Sequence, residues 1–182
     1  NIVPVHTLGL DQSGRPMLVM KRIEGVSWGQ LLENPSAMPS RYEGQPILDV
    51  HFQLLMRVCD AVEFAHSKGI LHRDLKPDNV MIGPFGEVYL LDWGLAVSLN
   101  EEESGRVPLA RNVKSITGTP GFMAPEMAFP EFAPLSFQSD VYGLGAILHL
   151  ILTHKLRHSG RDLRAILLNT YESIPQSYAN DD

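Results

Sequence analysis

The chain has little of what three classes of protein require. Its single cysteine, Cys59, cannot form an internal disulfide, which excludes a small disulfide-stabilised secreted domain. The formal net charge is −6 and lysine and arginine form no run, so we expect no nucleic-acid partner. The longest apolar stretch, residues 144–152, contains a glycine and a histidine and is well short of the ~20 residues that span a bilayer. We therefore expect no membrane contact from this segment.

The composition is that of a folded domain. Hydrophobic residues make up 44% of the 182 residues and charged residues 20%, a balance typical of a soluble globular protein. This length is enough for one domain with a buried core and too short for two of ordinary size. A single cysteine fits a reducing compartment. We expect a cytoplasmic protein, or the cytoplasmic part of a larger, membrane-anchored one.

The first part of the chain predicts two strands, a short helix and a loop. Residues 2–10 and 17–23 read as short strands joined by a polar turn. Ser27 is placed to cap a short helix that ends at Glu33. Residues 34–45 are rich in proline, serine and glycine and predict a loop.

A long amphipathic helix is predicted over residues 47–68, where apolar side chains recur every three or four positions. Gly69 is expected to end it. The spacing assigns the buried face of this helix to Leu48, Phe52, Leu55, Cys59 and Val62.

A hairpin is predicted from two β-rich runs, residues 80–82 and 88–91, around a turn that contains two glycines. Asn79 precedes the hairpin and Asp92 follows it. Because the strands of a hairpin pair antiparallel, these two residues are expected to come together.

The second half of the chain predicts one loop and two helices. Residues 98–117 are polar and rich in hydroxyl groups, which indicates a mobile surface loop. An apolar helix is expected to begin at Ser139 or Asp140 and to end at Thr153. A further helix is predicted over residues 162–169.

Three segments carry chemical groups at specific spacings. Residues 72–79 read His-Arg-Asp-Leu-Lys-Pro-Asp-Asn, and the proline keeps this segment from being helical. Residues 92–94 read Asp-Trp-Gly, and residues 118–126 read Gly-Thr-Pro-Gly-Phe-Met-Ala-Pro-Glu. The first segment places a carboxylate, an ammonium group and an amide close together.

In this order the three segments resemble the catalytic loop, the metal-binding triplet and the end of the activation segment of the protein kinase family. The resemblance covers nearly the whole chain and implies part of an α+β, protein-kinase-like fold. Residues 1–23 would be the last strands of the small lobe and the hinge. Residues 24–182 would be the mainly helical large lobe with its catalytic-loop hairpin, incomplete at its C-terminal end. Trp93 departs from the usual phenylalanine and resembles bacterial-type kinases.

The resemblance implies a serine/threonine protein kinase that transfers the γ-phosphate of ATP to hydroxyl groups of proteins. Asp74 would be the base that accepts the proton of the attacking hydroxyl. Lys76 would contact the transferred phosphoryl group. Asn79 and Asp92 carry hard oxygen ligands that suit Mg²⁺. Thr119 would hydrogen-bond Asp74 and Lys76 and favour serine and threonine substrates.

The nucleotide side is implied by the same resemblance. Met20, Lys21 and Ile23 match the hinge that would bind adenine. Met20 would be the gatekeeper, and the backbone of Ile23 would make the main hydrogen bonds. Residues 80–82 would form an apolar floor, with Met81 beneath the ring.

Three further residues match positions with known roles in the family. His72 is expected to pack under Trp93 as part of the core, and Asp140 to anchor the catalytic-loop backbone. Arg73 would receive a phosphorylated residue of the activation loop. The candidate acceptors in that loop are Ser104, Ser115 and Thr117.

Some motifs of the family do not occur in this sequence. It has no Gly-x-Gly-x-x-Gly loop, no Val-Ala-Ile-Lys strand and no glutamate-bearing helix to pair with that lysine. We therefore expect this segment alone to be weakly active or inactive. Glu126 is expected to lack its usual arginine partner, which would be costly for a buried carboxylate. The alternative hypothesis is a non-catalytic, kinase-like scaffold that binds proteins, although such a module would have had reason to lose Asp74 or Asp92.

Overall fold

The computed structural model describes residues 1–100, 107–131 and 133–172. Its strands are β1 (Val5–Leu10), β2 (Pro16–Met20), β3 (Val26–Ser27), β4 (Ile70–Leu71), β5 (Val80–Ile82), β6 (Val88–Leu90) and β7 (Val97–Ser98). Its helices are α1 (Trp28–Glu33), α2 (Ile47–His66), α3 (Pro125–Ala128), α4 (Phe137–Thr153) and α5 (Leu163–Glu172).

The strands form small antiparallel sheets, and the longer helices lie outside them. Strand β1 pairs with β2, β3 pairs with β5 and β5 with β6, and β4 pairs with β7. The α+β class expected from the sequence is confirmed. None of the helices in the described ranges is both long and apolar enough to cross a membrane.

The first hairpin forms where the sequence predicts it, but its strands are shorter, because β1 begins only at Val5 and β2 ends already at Met20. Asp11 closes its turn because its Oδ1 accepts hydrogen bonds from the backbone N–H groups of Ser13, at 2.8 Å, and Arg15, at 3.0 Å. Ile2 is not part of β1. It forms a parallel bridge with Leu90 of β6 instead, so the start of the chain is tied to the second hairpin.

Helix α1 begins as predicted, after Ser27. The Ser27 hydroxyl accepts from the Gln30 N–H at 3.1 Å, and the Gln30 side chain accepts from the Ser27 N–H at 3.0 Å, which is a capping box. Trp28 is fully buried, and its indole N–H donates to His51 Nδ1 of α2 at 3.0 Å. This bond ties α1 to the long helix.

Helix α2 begins where predicted and ends two residues early, at His66. The predicted buried face is only partly right: Val62 is buried and Leu55 packs against the core, but the other three residues are more exposed. Leu48 and Phe52 are 41% and 38% exposed, and Cys59 is only half-buried. The buried side chains are Val50, His51, Leu54, Val58, Ala61, Val62 and Ala65. Both sets recur at helical spacing, so periodicity alone could not decide which one faces the core. Gly69, with φ of +72°, follows the helix in the left-handed region that favours glycine.

Two segments predicted to be loops contain some regular structure. The first, residues 34–45, includes the 3₁₀ turns Pro35–Ala37 and Ser40–Tyr42. In the second, residues 98–117, Ser98 belongs to β7 and bridges Leu109, and a 3₁₀ turn follows at Ala110–Asn112. Residues 101–106 lie outside the described residues, as does the candidate acceptor Ser104.

Helix α4 begins at Phe137, earlier than predicted, because Ser139 lies in its first turn. The Ser139 hydroxyl accepts from the Ser136 N–H at 3.2 Å and donates to Glu126 Oε1 at 2.6 Å. Glu126 is therefore half-buried and hydrogen-bonded, so the cost expected for a buried, unpaired carboxylate does not apply. The expected lack of an arginine partner stays a prediction. Helix α5 extends three residues beyond the predicted range, to Glu172.

The main core lies between α1, α2, α4 and the β5–β6 hairpin. Its fully buried members include Trp28, Leu31, Val50, Leu54, Val58, Val80, Ile82, Leu90 and Ile147. Because α4 and the hairpin share this core, the residues at the start of α4 are fixed relative to residues 72–79.

Candidate active site

The second hairpin brings the two predicted metal ligands into neighbouring positions. Val80 pairs with Leu90, and beyond this pair the Leu91 N–H donates to the Asn79 carbonyl at 2.8 Å. Asp92 comes directly after Leu91. Asn79 and Asp92 therefore flank the open end of the same hairpin, as the sequence predicts.

The loop before this hairpin is held by one carboxylate of α4. Asp140 is 2% exposed, and its Oδ2 and Oδ1 accept the backbone N–H groups of His72 and Arg73, each at 2.9 Å. His66 Nε2 lies 2.8 Å from the same Oδ2. Arg73 has a φ of +69°, a conformation that costs energy in a residue other than glycine. The Asp140 hydrogen bonds stabilise that conformation, which sets the position of Asp74.

Asp74 lies at the centre of a hydrogen-bond network. Its Oδ1 accepts the Thr119 hydroxyl at 2.7 Å, and its Oδ2 accepts Lys76 Nζ at 2.9 Å and Asn79 Nδ2 at 3.0 Å. Lys76 Nζ also donates to Thr119 Oγ1 at 2.8 Å. Asp74 thus contacts the other three residues predicted to be catalytic, of which Thr119 lies 45 positions away in the chain.

This network keeps Asp74 ionised. Burial raises the pKa of its carboxyl, but the hydrogen bonds from Thr119 and Lys76, the charge of Lys76 and the amide of Asn79 outweigh burial. The net pKa is lower than usual. At neutral pH Asp74 is a carboxylate, so it accepts hydrogen bonds and donates none.

His72 is a structural residue in this arrangement, as expected. Its ring packs edge-on against Trp93 with centroids 4.6 Å apart. Its Nε2 lies 2.9 Å from the Leu91 carbonyl, and its Nδ1 accepts the Asp74 N–H at 3.2 Å. These partners require the neutral tautomer protonated at Nε2. Burial lowers the pKa of His72.

Asp92 has the features of a cation ligand. It has a φ of +57°, and its Oδ1 accepts the Gly94 N–H at 3.3 Å. Its side chain is exposed, unlike that of Asn79, whose amide nitrogen donates to Asp74. A cation bound here would meet the amide oxygen of Asn79 and the carboxylate of Asp92. Such hard oxygen donors fit Mg²⁺.

Arg73 contacts the segment before Thr119. Its Nη2 donates to the Thr117 hydroxyl, and its Nη1 donates to the Leu95 carbonyl at 3.2 Å. The side chain is buried, and its Nε has no hydrogen-bond partner within the described ranges. Of the candidate phosphoacceptors, Thr117 therefore contacts Arg73, while Ser115 is exposed.

The residues predicted for nucleotide binding meet the hairpin through Tyr89, which the sequence analysis missed. Lys21 Nζ donates to the Tyr89 hydroxyl at 2.9 Å and lies 4.9 Å from the ring centroid. That hydrogen bond raises the pKa of Lys21. Tyr89 pairs directly with Met81, which also pairs with Ser27. The signal was available, because residues opposite each other in a hairpin share one face of the sheet.

The other two nucleotide-binding candidates lie beside this contact. Met20 ends β2 and is 43% exposed. Ile23 is half-buried and lies three residues before β3. The segment that contains both leads into β3, whose Ser27 pairs with Met81.

The chain belongs to the protein kinase domain family. The family model for the protein kinase domain matches residues 1–180, so the partial protein-kinase-like fold expected from the sequence is confirmed.

The chain is similar to several chlamydial proteins named serine/threonine-protein kinase PknD. It is 36% identical to that of Chlamydia caviae over 192 residues, which cover 98% of this chain and 20% of the relative. It is 37% identical to that of Protochlamydia amoebophila over 170 residues, which cover 85% of this chain and 17% of the relative. The chain thus spans about a fifth of the length of these relatives.

Proposed function

We propose that this chain is the catalytic part of a protein serine/threonine kinase, which transfers the γ-phosphate of ATP to serine and threonine hydroxyls of proteins. The observation that carries the proposal is the contact of Asp74 with both Lys76 and Thr119. A buried carboxylate kept ionised beside an ammonium group is what transfer to an alcohol requires. The acceptor must lose a proton, and the moving phosphoryl group is negatively charged.

In this proposal Asp74 orients the acceptor hydroxyl and takes its proton as the oxygen–phosphorus bond forms. ADP leaves with the electrons of the broken bond. Lys76 stabilises the charge of the transferred group, because its ammonium already lies 2.9 Å from Asp74 and 2.8 Å from Thr119. Thr119 keeps the two side chains together, so that neither the base nor the cation must reorganise during transfer.

Asn79 and Asp92 are proposed as the Mg²⁺ ligands. When bound, the ion supplies neutralisation of the phosphate charge. Asn79 is well suited to this role because its amide nitrogen donates to both the carbonyl and the carboxylate of Asp74. The orientation of its amide oxygen is thereby fixed. Asp92 supplies the negative charge of the pair.

The adenine site is proposed at residues 20–23 and Met81. The backbones of Lys21 and Ile23 would bind the edge of the ring, with Met20 as the gatekeeper and Met81 beneath the ring. The support is the contact between Lys21 and Tyr89, which holds this segment against the strand pair that contains Met81.

We assign residues 1–23 to the small lobe and hinge and residues 24–182 to the large lobe, as the position of the β1–β2 hairpin before α1 suggests. Because ATP and protein acceptors are available in the cytoplasm, we propose that the reaction takes place there.

The test is transfer of radiolabelled phosphate from ATP to serine- and threonine-containing peptides. It should be run on the full-length gene product and on the 182-residue chain. Asp74→Asn should lower the rate of the full-length protein roughly 10²–10⁴-fold. Asp78→Asn, four residues along the same loop, is the matched control and should have a small effect. We expect weak or no turnover by the chain alone.

A scaffold without activity would behave differently in a second measurement. A kinase should show a Mg²⁺- and ATP-dependent rise in melting temperature that Asp92→Asn reduces. If ATP and Mg²⁺ raise the melting temperature of neither the native protein nor Asp92→Asn, and no peptide is phosphorylated, the scaffold hypothesis is supported instead.

A further inference from the structure

The connection between α4 and α5 carries a concentration of positive charge in an acidic chain. Four of the chain's 15 lysine and arginine residues lie within residues 155–164, although the net charge is −6. They are Lys155, Arg157, Arg161 and Arg164. The only carboxylate in this stretch of sequence is Asp162, which lies 3.6 Å from Arg161 Nε. Because other residues separate these four cations, they do not form a run of basic residues in the sequence.

Two buried histidines, His149 and His158, lie at this connection. His158 is 1% exposed and shares a hydrogen bond of 2.7 Å with the Tyr142 hydroxyl. Burial and then the charge of Arg157 lower the pKa of both His158 and His149. Arg157 lines the same surface cavity as both histidines. The exposed side chain of Lys155 adds to the same field.

This cationic connection touches the segment that follows Thr119. Gly121 packs so closely on Leu156 that a methyl group at its Cα would lie 3.2 Å from Leu156 Cδ1. Thr119, which contacts Asp74, is two residues before Gly121, a span of at most about 7 Å. Lys155 and Arg157 are the chain neighbours of Leu156. The backbone that carries Lys155 and Arg157 thus packs beside the segment that holds Thr119 against Asp74.

A surface cavity of about 720 Å³ opens on the same connection. Its charged and titratable lining consists of His149, Lys155, Arg157, His158 and Glu172. An extended peptide spans about 3.3 Å per residue. A peptide with its hydroxyl at Asp74 would therefore reach this cavity with a side chain only a few residues from the acceptor.

We propose that Lys155 and Arg157 select acceptor proteins that carry acidic residues close to the phosphorylated serine or threonine. The proposal rests on the proposed kinase activity and adds the class of substrate. An acidic acceptor is repelled by the chain as a whole, so a local cationic site is needed to bind it. Exposed ion pairs contribute modestly, and for the two cations together we expect a preference of about threefold to tenfold.

The experiment measures kcat/KM of the full-length protein for matched peptides. Each peptide has one central serine in a neutral background, with glutamate, alanine or lysine at one flanking position. We expect glutamate to be preferred at one or more positions, and the preference to weaken as salt is added. The double variant Lys155→Glu and Arg157→Glu should remove the preference or reverse it toward lysine.

The control is the double variant Arg15→Glu and Arg57→Glu, which changes the net charge equally at exposed sites in the β1–β2 hairpin and in α2. It should keep the preference for glutamate. Should the Lys155 and Arg157 double variant fail to fold, Lys155→Glu alone changes only an exposed side chain, and it should weaken the preference by a smaller factor.

Binding of fluorescent peptides, with alanine in place of the serine, gives a readout that does not need catalysis. Tighter binding of the acidic peptide, lost in the double variant, supports the proposal even if turnover is slow. Equal kcat/KM and equal binding for acidic and basic peptides overturn it and leave the kinase activity standing. Tighter binding of a short oligonucleotide than of any acidic peptide also overturns it. Absence of ATP-dependent transfer to every peptide contradicts the kinase activity itself.

Discussion

Asp140 Oδ1 accepts a hydrogen bond from the Arg73 backbone N–H at 2.9 Å, between residues 67 positions apart. The other oxygen of the same carboxylate accepts the His72 N–H, so two consecutive backbone donors are satisfied by one side chain. These two hydrogen bonds fix the left-handed conformation of Arg73. Through it the position of Asp74 depends on the first turn of α4.

Asp140→Asn should destabilise the protein and reduce activity together. An amide in place of the carboxylate leaves only one accepting oxygen for the backbone donors of His72 and Arg73. A buried unsatisfied donor costs about 1–3 kcal/mol, and the loss of charge adds to this. Urea unfolding should show a loss of roughly 2–4 kcal/mol. Asp49→Asn, at an exposed position in the first turn of α2, should cost about 0.5 kcal/mol. Equal losses for the two variants would contradict this account.

Thr119→Val should shift the acid side of the pH–rate profile upward. Burial alone raises the pKa of Asp74, and the Thr119 hydroxyl is the first of the groups that lower it. Without that hydroxyl the pKa should rise, so that Asp74 becomes protonated at a higher pH than in the native protein. We expect kcat/KM at neutral pH to fall about tenfold, corresponding to the loss of one strong hydrogen bond. Thr119→Ser, which keeps the hydroxyl, should restore the native profile, and an unchanged acid limb in the valine variant would be contrary to the proposed role.

Two glycines of α4 offer a matched pair of alanine variants. A methyl group at Gly145 would meet nothing within 4 Å, so Gly145→Ala should stabilise the helix by about 0.5–1 kcal/mol. A methyl group at Gly143 would lie 3.2 Å from the Cβ of Leu75, the residue that follows Asp74 in the chain. Gly143→Ala should therefore not stabilise the protein in this way. It should displace the catalytic loop and lower kcat. Thermal unfolding and peptide phosphorylation compare the two, and equal stabilisation with native activity in both would refute the packing argument.

His158 should make stability depend on pH in a defined window. Its pKa is lowered to about 4 in the folded protein, from 6.5 for a free histidine, first because of burial and then because of Arg157. Below pH 6.5 the unfolded chain binds a proton that the folded chain does not, so the free energy of unfolding falls as the pH drops toward about 4. The loss is at most roughly 3.4 kcal/mol.

Urea unfolding at several pH values, on the native protein and on His158→Gln, tests this window. In the variant, the free energy of unfolding should depend less steeply on pH below pH 6.5, by the slope that corresponds to about one bound proton. A native slope in the His158 variant would show that the buried ring does not titrate as argued.

Local signals predicted the elements of this fold well and their orientation poorly. The capping box at Ser27 and the glycine after α2 are local features, and both elements have the predicted bounds within a few residues. The buried face of α2 was predicted only in part, with Val62 right and Leu48 and Phe52 wrong, because apolar residues line two sides of the helix. Only packing against α1, α4 and the hairpin selects the face that contains Leu54 rather than the one that contains Phe52.

The partner of Glu126 was missed for a similar reason. Ser139 reads in the sequence as the possible start of a helix, and nothing local relates it to a carboxylate 13 residues away. The contact of Lys21 with Tyr89 required the hairpin register as well as the path of the first strands.

By itself the sequence determined the family and the order of chemical groups, because residues 72–79, 92–94 and 118–126 carry them at fixed spacings along the chain. The tertiary structure alone decided which of these groups touch. Thr119 meets Asp74, Asp140 holds Arg73, and the connection after α4 packs Leu156, which lies between Lys155 and Arg157, against Gly121. The physical reason is that hydrogen bonds and charges act over a few ångströms of space, while these residues lie tens of positions apart in the chain.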